Sequence, residues 1–141
     1  MKVFVKVSDD GLARDGGEFV GSTFLVIGAV LGFFGVALGA FAAHGLRKRF
    51  GEYEIGVFQT GVQYQMYHAF ALFGTGLWLN FHGAQGMLSL AGWMFLAGVI
   101  LFSGSLYLLA LTGVRKLGAI TPIGGLAFLT GWALLFIAAL Q

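Results

Sequence analysis

The side chains best suited to chemistry lie in one short run, Gln63-Tyr64-Gln65-Met66-Tyr67-His68, set inside an otherwise apolar stretch. Polar groups in such surroundings need partners, because hydrocarbon offers no hydrogen bonds. On a helix Tyr64 and His68 share one face, while Gln63 and Tyr67 share another. Ser103, Ser105 and Tyr107 form a second group, Thr121 and Pro122 open a later apolar stretch, and His44 closes an earlier one.

Two histidines in apolar segments raise the question of a haem, as in many membrane cytochromes. If the turn between the first two helices centres near residue 51, His44 stands level with Phe58. His68 then lies ten residues deeper, roughly 15 Å away at the α-helical rise. One iron cannot bridge that distance. Level with His68 is Phe34, between Gly32 and Gly35, so the glycines there make room for Tyr67 or His68.

Other chemistries find less support. An ion-coupled carrier places Asp, Glu, Lys or Arg inside the membrane, and no apolar stretch here carries one in its middle. Ser103 and Ser105 lack a carboxylate to orient a histidine beside them. Cysteine is absent, which removes disulfides, thiolate catalysis and cysteine-held metals. The expectation is a protein without catalytic residues, metal or cofactor.

The elements that must position these residues follow from composition. Of 141 residues 58% are hydrophobic and 10% are charged, against about a quarter charged in a soluble domain. Spans are expected at Val20 to Leu46, Val57 to Asn80, Met87 to Leu111 and Leu117 to Leu140, each long enough to cross lipid. The reading is all-α: an integral membrane, up-and-down four-helix bundle over residues 19–141, preceded by a polar tail, 1–18. Within that tail Val3, Phe4, Val5 and Val7 suit a short extended piece, although a mobile terminus is the plainer reading. Ala40-Phe41-Ala42 matches a signal-peptidase pattern, but the apolar stretch before it is about twice the length of a leader's and its flank is acidic.

Glycine makes up 24 residues, more than double the usual share of about 7%. Gly28, Gly32, Gly35 and Gly39 stack on one helical face, which is expected to meet another helix closely. Five lysines and arginines, Arg47, Lys48, Arg49, Arg115 and Lys116, fall in the first and third loops and none in the second. By the positive-inside rule both basic loops face the cytoplasm, or an organelle's matrix, and both termini face away. Trp78, Trp93 and Trp132 then fall toward the outer headgroups.

In that arrangement His44, Tyr64, Gln65, Tyr67, His68, Ser103, Ser105, Tyr107 and Thr121 gather in the cytoplasmic half. They form either a small pocket between the helices or a hydrogen-bond network that ties the bundle. The network is the plainer reading, since membrane bundles ordinarily hold by such bonds and by small-residue packing.

The motifs LGAFAAHGL (38–46), YQMYHAFALF (64–73), LFSGSLYLLALTG (101–113) and LGAITPIGGLAFLTGW (117–132) resemble those of the small four-helix membrane proteins of the YgdD and YwdK type, a domain of unknown function. Ala42 stands where that pattern has glycine and Gly45 where it has alanine. The resemblance implies a fold and a bacterial inner membrane, or its organellar descendant, and no assigned activity. Two functional expectations remain open. One is a non-catalytic accessory subunit of a membrane complex, or a homo-oligomer, with lipid, other subunits or itself as partner and no nucleic acid. The other is a carrier, channel or lipid-binding protein for a small, weakly polar molecule.

Overall fold

The structure, a computed structural model, describes residues 9–83 and 85–141. Helix α1 runs over Asp9–His44 and α2 over Glu52–His82. The third crossing is α3 (Gly86–Gly98), a π turn (Val99–Ser103) and α4 (Gly104–Thr112) in one continuous rod, and α5 spans Thr121–Ala139. No strand occurs among the described residues. The chain is an all-α integral membrane protein.

Three of these helices are long and apolar enough to cross a bilayer, with hydropathies of 2.4, 2.2 and 1.8. The exception is α2, which is equally long but carries Gln63, Gln65 and His68. It can do so because it is central: eleven of its residues are buried. It packs against α1 on one side and against α3, the π turn and α4 on the other, while α5 leans on α3 and the π turn. The helices therefore follow one another in space as in sequence, and α1 and α5 make no extended contact.

The helix ends obey local chemistry. Gly83 and Gly113 adopt φ of 80° and 70° and donate their N–H to Leu79 and Leu109, which closes α2 and α4. Pro122 sits in the first turn of α5, where a missing N–H costs nothing. The start of α1 departs from expectation: helix begins at Asp9, inside the segment read as a polar tail. At about 1.5 Å per residue α1 is roughly 54 Å long, so its first turns reach beyond a core of about 30 Å. The apolar piece at Val3, Phe4, Val5 and Val7 lies outside the described residues.

The α1–α2 contact repeats every seven residues and takes in Gly28 and Gly35 of the stripe read from sequence. A Cβ on Gly28 would stand 2.9 Å from the Ala69 carbonyl, and one on Gly76 would stand 2.6 Å from the Gly21 carbonyl. At Gly35 it would overlap the Met66 side chain. Gly21, Gly28, Gly35 and fully buried Ala42 thus face α2 at heptad spacing, the period of a left-handed helix pair. Gly39 has ordinary contact with Val62 at 3.5 Å, and Gly32 has no neighbour within 4 Å. Gly32 therefore does not pack against α2, because its face turns past the edge of that helix.

Candidate functional site

The polar residues do not converge on one pocket; they divide among three separate arrangements. The first is a clip centred on Gln65, which is 4% exposed. Its Nε2 donates to the Leu31 carbonyl of α1 at 2.8 Å, and its Oε1 accepts from the Tyr107 hydroxyl of α4 at 2.8 Å. One amide thereby joins three helices. Leu31 can accept because Gly35, one turn on, has no side chain to cover that carbonyl; a Cβ there would lie 3.6 Å from Gln65 Nε2. The Tyr107 ring rests on Phe58, centroids 4.7 Å apart, in a slot that Gly61 leaves open.

The second arrangement surrounds His68. Its Nδ1 donates to the Tyr64 carbonyl at 2.7 Å, and its Nε2 accepts from Trp132 Nε1–H at 3.2 Å. Together these bonds select the Nδ1–H tautomer of a neutral imidazole. The ring lies flat on Phe128, 3.4 Å between centroids and 6° between planes, while Tyr64 stacks on Phe102 at 4.4 Å. So the glycine stripe does not make room for His68 or Tyr67. Met66 and Gln65 fill that space, because His68 points away from α1, toward α5.

A third pair, Ser105 in the first turn of α4 and Thr121 at the start of α5, meets through a 2.8 Å hydroxyl contact, and Ser105 also donates to the Phe102 carbonyl. Ser103 is fully buried, and its Oγ has no partner among the described residues. Two expected members take no part in these interhelical bonds. His44 is exposed at the end of α1, and Tyr67 is 53% exposed, accepting only from Gln63 on its own helix. Among the described residues no three His, Cys, Asp or Glu side chains lie close enough to hold a metal ion.

Around the second arrangement is an open groove of about 950 Å³ between α2 and α5. Tyr64, Tyr67, His68 and Phe70 of α2 line one wall, Phe102 the back, and Pro122, Gly125, Leu126, Phe128, Leu129 and Trp132 of α5 the other. The π turn sets the back wall: α5 approaches so closely that a Cβ on Gly124 would meet the backbone of Phe102, 2.8 Å from its Cα. Sequence reasoning missed the partnership of Trp132 with His68 and assigned this indole to the headgroups. The available signal was its place seven residues before the end of α5, about 10 Å from that end and within reach of the middle of α2.

An all-α chain of four closely packed crossings, with minimal loops and a polar central helix, defines a small integral membrane protein. Residues 38–125 match the family model described as protein of unknown function, DUF423. The chain is 44% identical to the UPF0382 membrane protein YwdK of Bacillus subtilis, over 84% of this chain and 96% of that one. It is 44% identical to membrane protein SH2409 of Staphylococcus haemolyticus, covering 84% and 95%. The inner membrane protein YgdD of Escherichia coli K12 is also 44% identical, over 83% and 88%. The chain belongs to this DUF423, or UPF0382, family of membrane proteins. No solved structure matches it.

Proposed function

We propose that the chain is a non-catalytic membrane binding protein whose groove between α2 and α5 takes the apolar part of a small molecule arriving sideways from the bilayer. The observation that carries this reading is the groove itself: about 950 Å³, walled by aromatic and aliphatic side chains, with a fixed imidazole at its floor. Ligand sites commonly have that size and that mixture of many apolar walls with few oriented polar groups. Stacking of His68 on Phe128 closes the floor, which favours binding over passage. Organic extraction of detergent-washed protein tests it. Roughly one apolar molecule per chain is expected from the native protein and none from Gly125→Leu; equal yields from both count against the groove.

A second reading, an accessory subunit or homo-oligomer, is favoured by Gly32. It lies uncovered beside Phe33, Met66 and Phe70 in a shallow depression on the lipid side of α1 and α2, the kind of small-residue surface on which membrane helices associate. Cross-linking through Gly32→Cys distinguishes the two, with dimers expected only if this face is an interface. The setting proposed for either is a bacterial inner membrane, as named for the Escherichia coli relative. The basic loops then face the cytoplasm and both termini face away.

A further inference from the structure

The groove has a direction. It extends along α5 from Pro122 to Trp132, ten residues or about 15 Å. That is half of a hydrocarbon core of about 30 Å. Its shallow end adjoins the turn Arg115–Ala119 that leads into α5, where Arg115 and Lys116 are both exposed. Its deep end stops at the Trp132–His68 bond near the middle of α2.

A furrow of one leaflet's depth, walled by carbon and open sideways, follows the path of a lipid acyl chain. The two connections at the basic end differ in charge. In the first, Arg47, Lys48 and Arg49 share the surface with Glu52 and Glu54, so the cations have acids beside them in sequence. Residues 113–120 contain Arg115 and Lys116 and no acid. Cationic pockets next to membrane helices recruit acidic lipid headgroups.

We propose that an anionic phospholipid of the leaflet at the basic end docks here, with one acyl chain in the α2–α5 groove and its phosphate against Arg115 and Lys116. This rests on the binding reading of the groove and names its occupant. The Phe102 ring at the back is 3.9 Å from the position of a Cβ on Gly125, so a larger side chain at Gly125 has room to enter the furrow and displace the chain. Leu129, 67% exposed, offers a second position from which to fill it.

Native mass spectrometry of the full chain tests the assignment, using equimolar phosphatidylglycerol and phosphatidylcholine with identical acyl chains. The expected result is a single retained lipid with roughly tenfold preference for phosphatidylglycerol, two cations contributing about fivefold each at most. The preference falls to near parity in Arg115→Gln/Lys116→Gln and survives in Arg47→Gln/Lys48→Gln/Arg49→Gln. Gly125→Leu and Leu129→Trp, each checked for native helicity and monodispersity, lose the adduct of either lipid. Parity in the native protein, or a preference that follows the first loop, overturns the headgroup assignment. If adducts persist in both filled variants, the groove reading falls as well.

Discussion

The indole of Trp132 in α5 donates to Nε2 of His68 in α2 over 3.2 Å, and this bond spans the floor of the α2–α5 groove. Because the Tyr64 carbonyl already takes the Nδ1 proton, the imidazole is fully committed. It therefore acts as a fixed wall of the groove. ¹⁵N chemical shifts of the labelled histidine should show Nδ1 protonated and Nε2 bare, and Trp132→Phe should shift the Nε2 resonance while leaving Nδ1 protonated. A signal from the opposite tautomer would contradict the assignment.

The clip at Gln65 predicts a measurable coupling between helices. Tyr107→Phe removes one bond, worth about 0.6 kcal/mol on average and up to about 1.7 in membrane proteins. Gln65→Leu removes both bonds and leaves the Tyr107 hydroxyl buried without a partner, so its cost should exceed that of Tyr107→Phe. In an unfolding titration in mixed micelles, the double variant should be less destabilised than the sum of the two singles. Strict additivity would mean that the two side chains do not act together.

Packing predictions separate the heptad seam from the stripe beside it. Gly28→Ala and Gly76→Ala push a methyl group against backbone carbonyls of the opposing helix and should cost about 1–3 kcal/mol. Gly32→Ala meets open space and should stay within about 0.5 kcal/mol of the native protein. The same titration checks all three, and an equal loss at Gly32 would place that glycine in a contact.

Ser103→Ala should be neutral or slightly stabilising, since the hydroxyl is fully enclosed and makes no bond. A loss beyond about 1 kcal/mol would reveal a partner for that oxygen.

Much of the fold was legible because lipid imposes simple rules. Apolar length places the four crossings to within a few residues at most ends. What the residues did not disclose was rotation about the helix axes. A helical wheel cannot say whether the mid-membrane glycines face Met66 or instead Tyr67 or His68, because all of these stand near one level. The spacing of seven through Gly21, Gly28 and Gly35 and the shorter spacing through Gly32 and Gly39 both fit one helical face, and only the position of α2 separates them. The bond of Trp132 to His68 was hidden for a related reason: the preference of indoles for interfaces says nothing of which acceptor the ring N–H meets. The division of the polar residues into clip, groove floor and hydroxyl pair, with His44 outside all three, depends on side-chain direction and on α5 leaning toward α3, which no local pattern encodes.

The account depends most on the groove between α2 and α5 being filled by a molecule from the bilayer. Diffraction from crystals grown in a lipid mesophase tests this directly. The expected map has elongated density between Tyr64 and Leu129, lying over Phe102 and Phe128 and ending at Trp132. A groove collapsed onto itself, or one occupied by a helix of a second chain, would contradict it.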